Sequence, residues 1–398
     1  MSAAIAPSAR AIAHSRIREL AELAMTMEGV YKLYFGESNI PTPPFIREAA
    51  ARAMDEGFTY YTSNAGLAST REALAAYYAS RHAVKLDPER EIVVTTSGVQ
   101  ALNVAIRCAL DPGDEAIVLT PAWPNGTSIV QMCNATPVQL AQPLERTALG
   151  VRYTVDFEAL DRAVTPRTRL LLYTSPSNPL GWVASEQEQV RLLEFARSHK
   201  LWVLADEVYE RLWYDGERLG TAVPSILRIA TRDDSVIVAQ SFSKSYCMTG
   251  WRVGWLVARA DLASRARELN EFIISHAPSF GQRAAETALR EGEAFIVRML
   301  EQFRANRDYC LDVLRGLPGV TVPQPSGAFY LFPGIEGLAD SFDFCKRLLL
   351  ETKVGLAPGV AFGAGGEGNV RLCYASERSI LEPAMERVAA FIARGGWR

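Results

Sequence analysis

Continuous apolar runs that alternate with helical stretches constrain the fold of this chain more than any other feature of its sequence. Strand-like runs are predicted at residues 91–96, 116–120, 136–140, 169–174, 201–205, 235–239 and 252–257. Several of them are almost entirely apolar, which is typical of parallel strands buried on both faces. Strands and helices that alternate over about 170 residues predict an α/β domain. We therefore predict a three-layer α/β domain around a mainly parallel seven-stranded sheet.

Local signals predict where several helices begin. Ser69 with Glu72 and Ser185 with Glu188 both fit the S-x-x-E capping box, and each pair precedes an apolar helical stripe. The run at 15–23 has the pattern of a short amphipathic helix.

The sequence changes character after about residue 290. A long charged helix is predicted at Glu293–Arg315, followed by short strands at 319–322, 328–331 and 369–375. This pattern predicts a second, smaller α+β domain. We expect residues 1–44 to form an N-terminal arm and part of the small domain, 45–290 the large domain, and 291–398 the small C-terminal domain.

Composition argues against several classes of partner. The 398 residues carry a formal net charge of −3, so the chain lacks the basic excess of most nucleic-acid-binding proteins. Its six cysteines include no C-x-x-C pair, and its four histidines no H-E-x-x-H arrangement. No stretch reaches the roughly 18 apolar residues of a membrane span. We therefore expect no nucleic acid, no membrane and no metal as a partner, and a cytoplasmic protein with reduced thiols.

The first 30 residues are rich in alanine and contain several arginines, which is also a feature of transit peptides. Glu19, Glu22 and Glu28 break the acid-poor pattern of such peptides. An N-terminal arm of the mature protein is therefore the favoured interpretation.

Polar side chains follow the carboxyl ends of several predicted strands: Ser97-Gly98, Trp123, Asn178, Asp206 and Ser241. In an open α/β sheet, ligands bind in the crevice outside those ends. Residues far apart in the sequence are therefore expected to meet there in a binding site.

The strongest local signal is the segment 241–254, which places Lys244 among serines and eight residues before Arg252. A lysine has a pKa of about 10.4, and desolvation with a nearby cation lowers it until the amine becomes a nucleophile. Arg252 would bind a phosphate, with Ser241 and Ser243 as hydroxyl donors. A bare S-x-x-K would more often be a solvated surface loop, but the complete segment favours the functional interpretation.

Five stretches, in order along the chain, resemble motifs of the class I/II aminotransferases, the aspartate-aminotransferase-like family of fold-type-I pyridoxal-phosphate enzymes. Residues 241–255, S-F-S-K-S-Y-C-M-T-G-W-R-V-G-W, resemble the family's cofactor-lysine signature. Residues 60–71, 175–181, 205–209 and 369–372 resemble its Y-T-P…G…L-R, N-P-T-G, D-E-x-Y and R-L motifs. Order and spacing agree from about residue 30 to 376.

The resemblance implies pyridoxal 5′-phosphate as the cofactor, bound as a Schiff base to Lys244. Asp206 would pair with the pyridine nitrogen, Tyr209 and Asn178 would hydrogen-bond the phenolic oxygen, and Trp123 would stack on the ring. A helix cap for Asp206 and core packing for Tyr209 and Trp123 are the plainer alternatives.

The phosphate would lie at the start of the helix that opens with Ser97, Gly98 and Val99, where free N–H groups and the helix dipole favour an anion. By itself this turn is a weak phosphate motif. Tyr61 matches a tyrosine that reaches the phosphate of the neighbouring subunit in the family, which implies a homodimer.

The implied substrates are an L-amino acid and a 2-oxo acid. Arg371 would bind the α-carboxylate in bidentate fashion. The backbone of Gly36 would approach the substrate, although Gly36 could also be a plain turn, and Trp123 and Asn178 would line the same place. Amino-group transfer would proceed in ping-pong fashion, with the freed amine of Lys244 as general base.

Departures from the family pattern leave the reaction and the donor open. Leu180 replaces the Thr of N-P-T-G, and Ser63 the Pro of Y-T-P. Residues 274–280 contain no arginine, and residues 31–35 are largely aromatic, which favours a neutral amino donor. A C–S β-lyase on the same fold is an alternative. A regulator domain would need a DNA-binding module, and a nicotinamide-dependent dehydrogenase a dinucleotide fingerprint, and the sequence has neither.

Overall fold

The computed structural model describes residues 4–10, 12–147 and 150–396. The strands are β1 Tyr31–Lys32, β2 Ile92–Thr95, β3 Glu115–Thr120, β4 Thr136–Ala141, β5 Leu144–Thr147, β6 Gly150–Tyr153, β7 Thr168–Thr174, β8 Trp202–Asp206, β9 Val236–Ser241, β10 Gly254–Ala258, β11 Val320–Thr321, β12 Tyr330–Leu331, β13 Gly334–Ile335, β14 Val354–Gly355, β15 Ala357–Pro358 and β16 Val370–Cys373. The helices are α1 Pro7–Arg10, α2 Arg16–Met25, α3 Pro44–Asp55, α4 Ala68–His82, α5 Gly98–Ala109, α6 Asn125–Met132, α7 Phe157–Ala163, α8 Glu186–His199, α9 Ala260–Ile273, α10 Ser279–Glu291, α11 Glu293–Arg315, α12 Ser341–Thr352 and α13 Arg378–Ala393. Short 3₁₀ turns lie at Ile226–Arg228, Thr249–Trp251 and Gly359–Phe362.

A seven-stranded sheet forms the centre of the molecule, in the order β2-β10-β9-β8-β7-β3-β4. β9, β8, β7, β3 and β4 pair in parallel, whereas β10 runs antiparallel to both of its neighbours, β2 and β9. The prediction of an α/β fold with a mainly parallel seven-stranded sheet is therefore confirmed, and each strand lies at the predicted place to within a few residues.

Alternate side chains of each strand point to opposite faces of the sheet, because the side-chain period of a strand is two residues. In β3, Ile117 and Leu119 join the apolar cluster that also contains side chains of α4, α8 and α10. Ala116 and Val118 point the other way, into a cluster with α5, α6 and α9. The predicted three layers result from helices that cover both faces.

The C-terminal part packs around the long helix α11, which spans the predicted residues. Its strands form small sheets, β12-β16-β15 and β11-β13, and are shorter than predicted. The N-terminal arm joins this part, since β1 pairs with β14 and α2 contacts α12 and β15. The domain boundaries at 44 and 290 stay predictions.

Of the helix starts predicted from capping boxes and from the amphipathic run at 15–23, those at Ser185 and Ser15 are confirmed. Ser185 and Glu188 form a complete capping box at the start of α8, and Ser15 caps α2. The capping box at Ser69 is wrong, because α4 begins at Ala68 after Leu67. The hydroxyl of Ser69 instead donates to Glu286 on α10 at 2.7 Å. A buried carboxylate on a packed helix is the better acceptor for that hydroxyl.

None of the helices within the described residues combines the length and the apolar character needed to cross a lipid bilayer.

Candidate active site

A cavity of about 680 Å³ opens at the carboxyl edge of the parallel strands, between the central sheet and α2. A second cavity of about 870 Å³ adjoins it, and Ser243, Lys244 and Arg252 line both. The predicted site residues that line the first cavity are Gly36, Ser97, Gly98, Val99, Trp123, Asn178, Asp206, Tyr209, Ser241, Ser243, Lys244 and Arg252.

Lys244 places its amine inside this cavity, where Nζ donates to the carbonyl of Gly36 at 2.5 Å. Burial lowers the pKa of Lys244 to about 8. Gly36 permits this contact, because a Cβ at that position would lie 2.6 Å from the Tyr330 hydroxyl. The amine is therefore held in place and is partly uncharged near neutral pH.

Asp206 ends β8 and is 8% exposed. Its Oδ1 accepts a hydrogen bond from the backbone N–H of Val208 at 3.4 Å. Burial raises the pKa of Asp206 to about 7, against the opposing effects of that hydrogen bond and of the charge on Lys244. These two effects offset only part of the cost of burying the charged carboxylate, so the site fits a ligand that brings a cationic atom next to it.

A chain of hydrogen bonds joins the two parts of the molecule beside the cavity. Arg371 on β16 donates to Asn178 Oδ1 at 2.9 Å, and Asn178 Nδ2 donates to the Tyr209 hydroxyl at 3.3 Å. The hydroxyls of Tyr209 and Tyr330 lie 2.8 Å apart. Burial raises the pKa of Tyr209 above its usual range, so its phenol is protonated and can donate.

Arg371 is fully buried behind the cavity wall rather than in it. Its guanidinium carbon lies 4.6 Å from the ring centre of Tyr330 and 5.6 Å from that of Trp123. One of its terminal nitrogens donates to the carbonyl of Tyr34, whereas Nε has no hydrogen-bond partner among the described residues. A buried N–H without an acceptor is costly, which fits a site for a carboxylate.

The turn between β2 and α5 is strained and closely packed. Ser97 has φ 88° and ψ 163°, a conformation that residues other than glycine rarely adopt. A Cβ on Gly254 would lie 2.5 Å from the carbonyl carbon of Ser97 and 2.6 Å from the nitrogen of Gly98. β10 therefore approaches the start of α5, where free N–H groups can bind an anion.

Hydroxyls and a guanidinium surround the same turn. Ser241 Oγ donates to Ser243 Oγ at 2.7 Å, and the backbone N–H of Ser243 donates to Ser241 Oγ at 3.0 Å. Arg252 adopts the left-handed conformation (φ 55°) and donates to the carbonyl of Thr249 at 2.6 Å. This group of donors has the composition of a phosphate site.

Tyr61 lies away from the cavity of its own chain. Its side chain is 93% exposed, with its ring centre 5.7 Å from that of His276. The sequence interpretation has Tyr61 reach the phosphate of the neighbouring subunit, and that role stays a prediction.

The sequence interpretation missed several residues that line the cavity, among them Arg18, Asn125, Thr174 and Tyr330. Thr174 ends β7 just as Asp206 ends β8, so the strand-end rule applied to it as well. Tyr330 lies in a two-residue strand of the small part, which no sequence pattern distinguishes from core.

Comparison with known proteins identifies the family. Residues 29–388 match the family described as "Aminotransferase class I and II". The chain is 33% identical to an aspartate aminotransferase of Pyrococcus horikoshii, over 95% of this chain and 94% of that protein. It is also 33% identical to aromatic-amino-acid aminotransferase 2 of Thermococcus litoralis, over 94% of each.

Solved structures agree with this result. The crystal structure of the aspartate aminotransferase from Rhizobium meliloti superposes with a TM-score of 0.89, at 31% identity and with 98% of both chains covered. The chain belongs to the class I and II aminotransferases, and it is an enzyme that transfers amino groups. The names of the relatives do not favour the β-lyase alternative.

Proposed function

We propose that this aminotransferase uses pyridoxal 5′-phosphate bound covalently to Lys244 and moves an amino group from an L-amino acid to a 2-oxo acid. The observation that carries the proposal is the pairing of the partly buried amine of Lys244, whose pKa is lowered, with the buried carboxylate of Asp206 in one cavity. When bound, the cofactor supplies the electron sink for the negative charge that develops at the substrate Cα.

The residues present fit this cofactor. Among the described residues, Lys244 is the one cation whose charge lowers the pKa of Asp206, so a protonated ring nitrogen would compensate the burial of this carboxylate. Ser97, Gly98, Val99, Ser241, Ser243 and Arg252 would hold the phosphate. The Tyr209 hydroxyl and the Asn178 amide would hydrogen-bond the phenolic oxygen, and Trp123 would cover the ring.

Lys244 would also move the proton. Its Nζ, once free of the cofactor, would take the proton from the substrate Cα and deliver it to the cofactor carbon. The lowered pKa of Lys244 keeps a fraction of this amine uncharged near neutral pH. The carbonyl of Gly36 accepts from Nζ and so orients it.

Arg371 would bind the substrate α-carboxylate, because its Nε has no acceptor among the described residues and its side chain is fully buried beside the Tyr330 ring. Gly36, Trp123 and Asn178 would line the same place. The relatives carry names for aspartate and for aromatic amino acids, so the donor of this chain does not follow from them.

A homodimer and a cytoplasmic location belong to the same proposal. Tyr60, Tyr61, Phe272, Ile273 and Ile274 expose large apolar surfaces on the large part of the molecule, as expected of an interface. Tyr61 would reach the phosphate of the partner from there. The six cysteines are all unpaired, which supports a reducing compartment.

A half-reaction screen tests the proposal. The purified protein, reconstituted with pyridoxal 5′-phosphate, is mixed with single amino acids while the visible absorbance of the cofactor is followed. Borohydride reduction and peptide mapping should place the label on Lys244. Labelling of another lysine would contradict the proposal, as would release of ammonia without an oxo-acid acceptor.

A further inference from the structure

Tyr330 is a buried side chain of the cavity lining to which the proposed function assigns no task. It lies in β12, which pairs with β16, the strand that carries Arg371. Its ring centre lies 4.6 Å from the guanidinium carbon of Arg371, 4.7 Å from the ring centre of Phe329 and 5.8 Å from that of Tyr209. The packing of the ring therefore fixes the position of the Tyr330 hydroxyl.

The Tyr330 hydroxyl has one hydrogen-bond partner among the described residues, the hydroxyl of Tyr209 at 2.8 Å. Burial raises the pKa of Tyr330 well above its usual range, so this hydroxyl keeps its proton. A Cβ at Gly36 would lie 2.6 Å from the Tyr330 oxygen, which shows how closely the Gly36 backbone covers it. The hydroxyl of Tyr330 therefore acts on the site through Tyr209.

The other hydrogen bonds of Tyr209 bear on which of the two phenols donates. Arg371 carries only donors, so the Asn178 oxygen faces Arg371 at 2.9 Å and the Asn178 amide nitrogen faces Tyr209 at 3.3 Å. A phenol has one proton to donate, and its oxygen also accepts. If Tyr209 gave its proton to Tyr330, none would remain for a ligand in the cavity. If Tyr330 donates, the Tyr209 oxygen accepts from both neighbours and its own proton stays free.

We propose that Tyr330 is a positioning residue whose hydroxyl donates to Tyr209 and thereby directs the Tyr209 proton to the phenolic oxygen of the bound cofactor. This inference rests on the proposed function. A negatively charged phenolic oxygen is a stronger acceptor than the neutral hydroxyl of Tyr330, which sets the direction of the chain. Hydrogen bonds in such a chain polarise one another, so donation from Tyr330 makes Tyr209 a stronger donor.

The test follows the visible absorbance of the bound cofactor as a function of pH. A hydrogen bond to the phenolic oxygen stabilises its negative charge, which is least compensated when the nitrogen that joins the cofactor to Lys244 has lost its proton. Tyr330→Phe removes only the hydroxyl and should therefore raise the pH midpoint of the absorbance change by about 0.3–1 unit. Replacement of Tyr330 by 3-fluorotyrosine, a more acidic phenol, should lower the midpoint. The fluorinated protein keeps the ring and the hydroxyl, so it tests the same point if Tyr330→Phe folds poorly.

A double variant separates positioning from a merely structural role. Tyr209→Phe should raise the midpoint more than Tyr330→Phe does. Adding Tyr330→Phe to Tyr209→Phe should raise it no further, because Tyr330 acts through the Tyr209 hydroxyl. Tyr214→Phe is the matched control and should leave the midpoint unchanged. The Tyr214 hydroxyl is also buried and donates to the carbonyl of Ala328 at 2.7 Å, but Tyr214 lies outside the lining of both cavities.

Cofactor binding gives a readout that requires no catalysis. Tyr330→Phe should weaken the binding of pyridoxal 5′-phosphate to the cofactor-free protein by about twofold to tenfold. The 3-deoxy analogue of the cofactor, which lacks the phenolic oxygen, should bind the wild-type protein and this variant equally well.

An unchanged midpoint in Tyr330→Phe, or an equal further rise when it is added to Tyr209→Phe, would overturn the inference. The same holds if Tyr330→Phe loses as much affinity for the 3-deoxy analogue as for the cofactor. Failure of the proposed function looks different, because then no visible band forms and no label appears on Lys244.

Discussion

Lys244 and Asp206 are ionisable groups of opposite charge that burial drives toward their neutral forms. The pKa of the lysine falls to about 8 and that of the aspartate rises to about 7. Each pKa unit corresponds to about 1.4 kcal/mol of differential interaction, so both groups reduce the stability of the cofactor-free protein. Bound cofactor would offset this cost for Asp206 by supplying a cationic atom.

The pKa of Asp206 predicts a specific pH dependence. Between the ordinary aspartate pKa of 3.8, which applies to the unfolded chain, and the folded-state pKa of about 7, the folded chain holds a proton that the unfolded chain releases. Stability of the cofactor-free protein should therefore fall as pH rises through this window, and the loss should be complete above it.

Substitution Asp206→Asn should remove this part of the pH dependence. In urea denaturation of cofactor-free protein, the variant should be more stable than wild type at about pH 8 and similar at about pH 4. In the presence of cofactor the wild-type protein should be the more stable of the two, because a neutral amide cannot pair with a cationic ring nitrogen as the carboxylate can. An unchanged pH profile in the cofactor-free variant would contradict the assignment of this pKa.

At the scale of elements, a buried cluster ties α4 to the loop after β8. Glu210 accepts from the Tyr77 hydroxyl and lies 2.8 Å from His82 Nε2. Burial lowers the pKa of His82, but the charge and hydrogen bond of Glu210 outweigh it, and the net pKa is raised. Glu210 directly follows Tyr209, so this cluster fixes the end of the segment that carries the Tyr209 phenol.

Substitution Glu210→Leu should lower the free energy of unfolding by about 2–4 kcal/mol, because it leaves two buried polar groups without a partner. The part due to His82 should be largest below about pH 6.5 and shrink as pH rises through the raised pKa of His82.

Urea denaturation at several pH values measures this effect, and Glu72→Gln on the exposed face of α4 is the control. The triple variant with His82→Phe and Tyr77→Phe should recover part of the loss. If Glu210→Leu alone were as stable as wild type, the cluster would not stabilise the fold.

The close approach of β10 to α5 predicts the effect of one methyl group. In Gly254→Ala, the new Cβ would meet backbone atoms of Ser97, Gly98 and Gln240 at 2.5–2.6 Å. The backbone must shift, at a cost of about 1–3 kcal/mol, and the turn at Ser97 and Gly98 moves with it.

We therefore expect weaker binding of pyridoxal phosphate together with a lower midpoint of thermal unfolding. Gly316→Ala is the matched control, because its nearest neighbours are 3.5 Å away. Cofactor affinity equal to wild type in Gly254→Ala would argue against a phosphate at this turn.

Sequence reasoning was most reliable where one residue type decides the local structure. Continuous apolar runs such as Ile92–Thr95 identified the strands, because burial on both faces leaves no room for polar side chains. The strand order and the reversed direction of β10 depend on long-range pairing, which no local pattern encodes. Ser69 failed as a cap because its hydroxyl serves Glu286 on another helix. Arg18 and Tyr330 reach the cavity only through packing of distant segments.

At the scale of the whole molecule, the exposed position of Tyr61 makes the oligomeric state part of the active-site question. If Tyr61 acts in the partner, a hybrid of a Lys244→Ala subunit and a Tyr61→Ala subunit has one site with both residues intact. If Tyr61 acts in its own chain, the hybrid has none.

Each of the two variants should be nearly inactive as a homodimer. Co-expression of the two variants with different tags should therefore give hybrid dimers that are active. Tandem affinity purification followed by the half-reaction assay measures this. Hybrids no more active than the two parents would contradict the shared site, and a monomer in sedimentation analysis would contradict the dimer.

The antiparallel direction of β10 has a consequence for how the enzyme tolerates change. Because this strand returns beside β9, residues 242–253 form a loop that the sheet holds at both ends, and this loop contains Lys244 and Arg252. A residue inserted into this loop would displace the side chains within it, because both ends of the loop are fixed by the sheet. A longer crossover connection could accommodate the same insertion in one of its own turns. Length variation among related chains should therefore be excluded from this loop and accumulate in outlying turns such as the tip between β5 and β6.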